Sequence, residues 1–245
     1  MINQLLNDHS ITKDRIYGLL NSLSETGADY SDLYFQHSIA ESWLLDEGIV
    51  KDGSYSISHG VGARCVTGDK TGFSYSDDLN LNAIQGAIDF AKGISDKPQG
   101  QNSNVLKKVD YPSMYSAINP LKSLTSKEKV GLLRQINSIA RKEPKVVQVS
   151  ASLSGAYTEV LIASTDGVYQ MDCRPMVRVN VTVIVEHNGR IEQGSSGGGG
   201  RYDYGYFVNN SLAETYTKEA LRLALVALES IEAPAGKMPV ILGSG

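Results

Sequence analysis

The chain has 245 residues, of which 41% are hydrophobic and 20% are charged, and its formal net charge is −4. Such a chain can bury one large core or two smaller ones, whereas its interspersed charges argue against a nucleic-acid-binding protein, which would carry a basic face. No run reaches the roughly 18 apolar residues of a membrane span, and residues 1–15 lack the features of a secretion signal, so we expect a cytoplasmic protein without nucleic-acid or membrane partners.

The first half of the chain predicts a helix, four strands and a second helix. Apolar residues at helical spacing indicate the helices, and alternation of apolar and polar residues indicates the strands. The predicted helices span 11–23 and 81–91, and the predicted strands span 30–36, 42–50, 55–66 and 72–75. We expect residues 1–105 to form an amino-terminal α+β subdomain.

An extended segment separates the two halves, and we interpret residues 106–125 as a linker. Thr125 and Glu128 then have the spacing of a capping box, in which the two side chains satisfy backbone N–H groups left free at a helix start. The helix that begins there should end near Arg141, because Pro144 follows and disfavours helical backbone before it.

The second half repeats the order of the first. Strands are predicted at 146–153, 159–163, 168–185 and 190–194. Ser211 and Glu214 match a second capping box, which opens a helix through Leu228. The stretch 220–228 is apolar on nearly every side, so we expect deep burial there. Residues 126–245 form the predicted second α+β subdomain.

Short sequence echoes support a duplication. Gly18-Leu19-Leu20 recurs as Gly131-Leu132-Leu133, and Asp52-Gly53-Ser54-Tyr55 recurs as Asp166-Gly167-Val168-Tyr169. Together with the repeated element order, they predict an α+β fold of two related layers, each an antiparallel sheet with helices packed on one face. Four dipeptides have the composition of hairpin turns: Asp52-Gly53, Gly68-Asp69, Asp166-Gly167 and Asn188-Gly189.

The most unusual segment is a run of four glycines followed by an arginine. It comprises Gly197, Gly198, Gly199, Gly200 and Arg201. Glycine is costly in conformational entropy, so a folded protein that keeps such a run usually needs positive φ angles or close approach to the backbone. Several aromatic residues follow it closely, which is unusual for a flexible linker.

Three interpretations of this segment are open. Exposed backbone amides beside a guanidinium could pair with an extended peptide or hold an anion, so we take Gly197–Arg201 as the candidate substrate-binding residues. Alternatively, the glycines form a flexible hairpin end. In the third interpretation they permit tight sheet or subunit packing, and Arg201 pairs with an internal carboxylate.

Other catalytic patterns are missing from the sequence. The four histidines, His9, His37, His59 and His187, stand in separate contexts and form no His-Glu-x-x-His pattern. Cys65 and Cys173 are too few for a disulfide framework, and we expect two reduced, buried thiols. There is no phosphate-binding loop, and none of the abundant serines has a nearby base that its spacing would single out. We therefore assign no catalytic residue and no metal ligand in this chain.

Several separated segments nevertheless match one family pattern. They are Asp32–Phe35, Glu41–Trp43, Lys51–Tyr55, Gly60–Arg64, Lys70–Phe73, Ser196–Arg201 and Ala233–Val240. These segments resemble the amino-terminal half of TldD-type members of the TldD/PmbA (TldD/TldE) zinc metallopeptidase family. The resemblance implies a cytoplasmic peptidase that trims leader or unfolded peptides as a heterodimer of a TldD-type and a PmbA/TldE-type subunit.

The same resemblance predicts where the catalytic metal is held. In TldD-like proteins a His-Glu-x-x-x-His segment follows the strand that resembles Pro239–Gly243, and a distant cysteine completes the zinc site. The chain ends at Gly245 without that segment, and Cys65 and Cys173 do not match the family's cysteine by context. We therefore expect no cofactor in this chain, although the complete family member holds zinc, and we expect no peptide hydrolysis by this chain alone.

Three functional hypotheses follow. The first is the amino-terminal, non-catalytic part of a TldD-like zinc metallopeptidase, which contributes cleft walls for a peptide substrate and contacts to a PmbA/TldE-like subunit. The second is a stand-alone scaffold or binding module that pairs with a TldD/PmbA-type partner through an exposed sheet edge. The third is an unstable remnant without function, in which exposed apolar surface promotes aggregation.

Overall fold

The structure, a computed structural model, describes residues 2–25, 27–93, 107–108, 114–233 and 235–244. The helices are α1 (Ile2–Asp8), α2 (Lys13–Ser24), α3 (Leu81–Lys92), α4 (Ser126–Ala140), α5 (Gly205–Asn209) and α6 (Leu212–Leu228), with a 3₁₀ turn at Pro120–Lys122. The strands are β1 (Tyr30–Asp46), β2 (Ile49–Thr67), β3 (Lys70–Ser76), β4 (Lys107–Lys108), β5 (Val146–Ser164), β6 (Val168–His187) and β7 (Arg190–Gly200). The predicted linker, 106–125, lies partly outside the described residues.

All seven strands belong to one sheet. Its order is β3-β2-β1-β5-β6, and β4 and β7 both pair with β6. The pairs are antiparallel except for the short parallel pair of β4 and β6. β1 and β5 pair from Asp32 opposite Ser164 to Asp46 opposite Ser150, so this long ladder joins the two halves. The predicted α+β class with antiparallel strands is confirmed, and the two predicted layers are continuous through β1 and β5.

The helices pack on one face of the sheet, as predicted. Successive side chains of a strand point to opposite faces, and the inward residues of β1, such as Leu33, Phe35 and Leu45, all have odd numbers. Leu33 and Phe35 belong to a buried cluster with α1, α2 and α3. Leu45 belongs to a second buried cluster with α4 and α6. The two helical layers therefore lie side by side along the strands.

The order of elements repeats between the halves. The order α2-β1-β2-β3-α3 is matched by α4-β5-β6-β7-α6, except that the short helix α5 precedes α6, and each half has three of these strands where four were predicted. Gly18 and Gly131 occupy the same position in their helices. One predicted turn is wrong: Asp52-Gly53 lies inside β2, and the chain turns at Glu47 and Gly48, which have φ angles of 51° and 79°. The other three predicted turn dipeptides lie between strands, with positive φ at Gly68, Gly167, Asn188 and Gly189.

The two predicted capping boxes have opposite outcomes. At α4 the Thr125 N–H donates to Glu128 Oε2 at 2.7 Å and the Glu128 N–H donates to Thr125 Oγ1 at 3.3 Å, which confirms the first. The second is wrong, because Ser211 has a φ of 51° and makes no side-chain cap bond. Glu214 instead pairs with Lys218 at 2.6 Å.

Burial in α6 is one-sided. Ala220 and Ala224 are fully buried, whereas Val226 is 53% exposed, so the prediction of deep burial on nearly every side is wrong. Cys65 is a buried free thiol, as predicted, but Cys173 is only partly buried. Within the described residues, no helix is both long and apolar enough to cross a membrane.

Candidate functional site

The four glycines are strand residues. β7 was predicted to end at residue 194, but it continues to Gly200, and Gly197–Gly200 pair with Asn180–Val177 of β6. Gly198 and Gly200 share the helix-covered face with Val179 and Val177. Within the described residues, β7 pairs with no strand other than β6, so its outer edge has no strand partner.

Close packing explains why these positions carry no side chain. A Cβ atom on Gly197 or Gly199 would overlap backbone carbonyl oxygens of β6, and one on Gly198 would overlap the Tyr216 hydroxyl. A Cβ on Gly200 would lie 2.7 Å from the ring of Tyr202. The packing interpretation of the glycines is therefore supported, and the flexible hairpin end is wrong.

A cavity of about 680 Å³ opens where β7 ends. Its volume is within the usual range for small-molecule and cofactor sites. The walls are formed by Met114, Tyr115, Ser116, Ile118, Pro175, Gly199, Gly200, Arg201, Tyr202, Asp203 and Tyr206. Of the five predicted substrate-binding residues, Gly199, Gly200 and Arg201 line this β7-end cavity, whereas Gly197 and Gly198 do not. The sequence did not identify Tyr115 or Pro175, which come from a different segment and a different strand.

Arg201 is held in place by neutral groups. Its guanidinium carbon lies 5.3 Å from the centroid of the Tyr115 ring, and Nη1 donates to the Pro175 carbonyl at 3.3 Å. No carboxylate of the described chain forms an ion pair with Arg201. The predicted pairing with an internal carboxylate is therefore not found there, and the guanidinium keeps donors available to a ligand.

Tyr115 is held in place by Asp172 of β6. Its hydroxyl donates to Asp172 Oδ2 at 3.0 Å, and Arg174 Nε donates to the same oxygen at 2.7 Å. Burial alone would raise the pKa of Asp172, but the hydrogen bonds from Arg174 and Tyr115 outweigh it and lower that pKa. The Asp172 charge is thus satisfied locally, and the Tyr115 ring presents a fixed face to Arg201.

Aromatic residues hold the chain after the arginine. The rings of Tyr202 and Tyr206 stack with centroids 4.1 Å apart. Tyr204 between them is fully buried, its N–H donates to Ser123 Oγ at 3.1 Å, and its phenol occupies the space above Gly155. These contacts hold the segment that follows Arg201, which supplies Tyr202 and Tyr206 to the cavity wall.

A buried ion pair lies beside Tyr204. Lys129 Nζ is 2.5 Å from Glu41 Oε1 and 5.0 Å from the centroid of the Tyr204 ring. Among the residues that the structure describes, no group meets hydrogen-bonding geometry with the Tyr204 hydroxyl. Burial, and then the nearby Glu41 carboxylate, raise the pKa of Tyr204. No sequence pattern predicted this cluster, although Glu41 lies in one of the matched segments.

The described residues do not provide a metal site. His37 faces His59 across β1 and β2, and Glu159 lies beside His37 on β5. Even so, no three His, Cys, Asp or Glu side chains of the described chain are grouped so that they could hold a metal ion. The chemistry that the β7-end cavity supports is binding of a ligand by a guanidinium, backbone groups and aromatic walls.

Family models and curated relatives that match this chain all belong to one family. Residues 31–95 match the family model "PmbA/TldA metallopeptidase domain 1", and residues 119–228 match "PmbA/TldA metallopeptidase central domain". A metalloprotease TldD homolog of Haemophilus influenzae is 44% identical over 250 residues, which cover 99% of this chain and 52% of that protein. A homolog from Buchnera aphidicola subsp. Schizaphis graminum is 43% identical, with 98% and 51% covered. The chain thus spans about half the length of these curated relatives.

Solved structures share the fold. A protein from Thermotoga maritima described as a modulator of DNA gyrase superposes with a TM-score of 0.71 at 17% identity, covering 91% of this chain and 49% of its own. TldE from Thermococcus kodakarensis superposes with a TM-score of 0.62 at 13% identity, covering 84% and 46%. At these identities the likeness establishes the fold alone.

Proposed function

Because this chain belongs to the PmbA/TldD metallopeptidase family, we propose that it supplies the peptide-binding wall of a metal-dependent peptidase. The substrate is an unfolded or leader peptide in extended conformation. The observation that carries the proposal is the position of Gly199 and Gly200 at the end of an edge strand, followed directly by Arg201, with all three residues lining a cavity.

The edge of β7 suits an extended chain. A strand with one free edge presents unpaired N–H and C=O groups, and a peptide can add to it as a further strand. Main-chain hydrogen bonds then give affinity for many sequences, while the aromatic walls of the cavity accept a side chain. Gly197–Gly200 project no side chain from either face of β7, so this end of the strand consists of backbone alone.

The remaining parts of the function rest on the family. We propose that cleavage uses a zinc ion bound elsewhere in the whole protein, because the described residues lack a ligand cluster. A PmbA/TldE-type subunit is the proposed partner, in line with the shared fold of TldE. A cytoplasmic location stays a prediction.

Backbone-methylated peptides test the binding mode. In a strand that adds to an edge, every second N–H points towards the sheet, so N-methylation of one alternating set should abolish binding and methylation of the other set should be tolerated. We would measure the anisotropy of fluorescein-labelled octapeptides of valine, threonine and serine with the 245-residue chain. Equal affinity for both methylated sets would contradict strand addition.

The partner is tested separately. Co-expression with a TldE-type subunit, followed by size-exclusion chromatography, should give a stoichiometric complex. Elution of the two proteins in separate peaks at micromolar concentration would reject the partner without affecting the peptide-binding result.

A further inference from the structure

The β7-end cavity contains a cation whose charge is not neutralised within the described chain. Arg201 donates one hydrogen bond to the neutral Pro175 carbonyl and stacks on Tyr115. The other charged residue of the wall, Asp203, already accepts the Gly205 N–H at 2.8 Å. Nearby Asp172 is paired with Arg174. A partly buried guanidinium without an anion is therefore available at the end of the edge strand.

The arginine is oriented before any ligand arrives. Contact with the Tyr115 ring and the hydrogen bond to the Pro175 carbonyl fix the plane of the guanidinium. A guanidinium has five N–H donors, and two of them can bind the two oxygens of one carboxylate. Less side-chain entropy is then lost on binding than for a mobile surface arginine. Met114, Ile118 and Tyr206 line the same cavity as the guanidinium, so apolar surface lies next to the charged group.

We infer that Arg201 selects peptides carrying a carboxylate next to an apolar side chain. The carboxylate pairs with the guanidinium and the apolar side chain occupies the cavity. The carboxylate can belong to an aspartate or glutamate within the peptide or to the carboxyl terminus, since all of these present the same two oxygens. This inference rests on the proposed peptide binding at the β7 edge and adds a substrate class to it.

Labelled peptides distinguish the two sources. The probes are octapeptides of valine, threonine and serine with one Leu-Glu pair moved along the chain, each made with Glu or Gln and with a free or amidated carboxyl terminus. With the 245-residue chain, we expect the Glu-to-Gln or acid-to-amide change to weaken binding by about tenfold to a hundredfold at the preferred position, which identifies the source. Equal affinity of all acidic and neutral versions would overturn the inference.

Protein variants complete a double-mutant cycle. Arg201→Gln should bind acidic and neutral peptides equally, at the level of the neutral peptide on the unaltered chain. The matched control is Arg178→Gln, because Arg178 lies opposite Gly199 on β6 and does not line the cavity. It should keep the full preference for the acidic peptide. A preference that survives Arg201→Gln would also overturn the inference.

The outcomes separate this inference from the proposed function. Peptides that bind with the alternating methylation pattern but without carboxylate preference reject the inference alone. Failure of every peptide to bind rejects both. If Arg201→Gln lowers the melting temperature severely, the peptide series on the unaltered chain still tests the preference for a carboxylate.

Discussion

The ammonium of Lys129 lies 2.5 Å from the carboxylate of Glu41, although 88 positions separate the two residues in the chain. The two side chains are only 4% and 9% exposed. Lys129 also donates to the Leu121 carbonyl at 2.8 Å. The pair therefore links α4 in the second half to β1 in the first, directly beside the residue that anchors the cavity wall.

Removing one member of this pair should strongly destabilise the fold. Lys129→Met leaves Glu41 buried without its partner, and we expect a loss of about 3–5 kcal/mol in the free energy of unfolding. The matched control is Lys218→Met, which breaks an exposed pair with Glu214 and should cost at most about 1 kcal/mol. Urea denaturation measures both, and equal losses would contradict the assigned role of burial.

Tyr204 should make the protein sensitive to alkali. Burial and then Glu41 raise the pKa of Tyr204, so the folded state favours the neutral phenol. Its contribution to stability is complete below the ordinary tyrosine pKa of about 10 and is lost as the pH rises further. By about pH 11, ionisation of this tyrosine in the unfolded chain should lower the free energy of unfolding by about 1.4 kcal/mol.

Tyr204→Phe provides the comparison, because phenylalanine keeps the ring and cannot ionise. We expect urea denaturation at a series of alkaline pH values to show a smaller loss of stability for this variant than for the unaltered chain. Parallel curves for the two proteins would be inconsistent with a raised Tyr204 pKa.

Glycines in β7 and α4 should respond oppositely to alanine. In Gly199→Ala the new methyl group meets the Val177 carbonyl, so we expect a loss of about 1–3 kcal/mol and weaker peptide binding at the cavity. Gly131 lies on an exposed helix surface with nothing close to an added Cβ. Gly131→Ala should stabilise the chain by about 0.5–1 kcal/mol and leave binding unchanged. Thermal melts and peptide anisotropy test both, and stabilisation of both variants would refute the packing role of Gly199.

The two predicted capping boxes offer a matched pair of helix starts. Thr125→Ala removes a side-chain cap and should cost about 1 kcal/mol. Ser211→Ala removes no cap bond, so we expect a change of only a few tenths of a kcal/mol. Urea denaturation at neutral pH should separate the two variants, and equal costs would contradict the assigned caps.

The same cap predicts an acid response. Hydrogen bonds from the Thr125 backbone, and then from its side chain, lower the pKa of Glu128. Its contribution is present above the ordinary glutamate pKa and is lost as the pH falls through the lowered value. The stability difference between Glu128→Gln and the unaltered chain should therefore shrink in acid, and a difference that grows in acid would speak against the cap.

Local pattern was sufficient for most elements of the fold. The spacing of Thr125 and Glu128 determined the start of α4, because both cap partners lie within one turn of the helix. The same capping-box spacing gave a wrong prediction at Ser211, where the left-handed backbone directs the side chain away from the free N–H groups. Periodicity also divided β1 and β5 into shorter strands, since their central residues lie between the two buried clusters and lack the apolar alternation that marks a strand.

The candidate site could be predicted only in part, because most of its contacts join residues that are far apart in the sequence. The glycine run was visible as a sequence anomaly, but its strand pairing depends on β6, whose partner register no local pattern specifies. Tyr115 and Pro175 approach Arg201 only after the sheet has formed. The buried contact of Glu41 with Lys129 joins residues far apart in sequence, and neither residue type predicts burial by itself.

The long pairing of β1 with β5 has a consequence for synthesis on the ribosome. At ordinary elongation rates the stretch from Asp46 to Ser164 takes on the order of ten seconds to emerge. Throughout that interval one side of β1 has no complementary strand, and non-local pairing of this kind is slow and prone to aggregation. The nascent amino-terminal half therefore exposes an unpaired β1 edge until β5 has been synthesised.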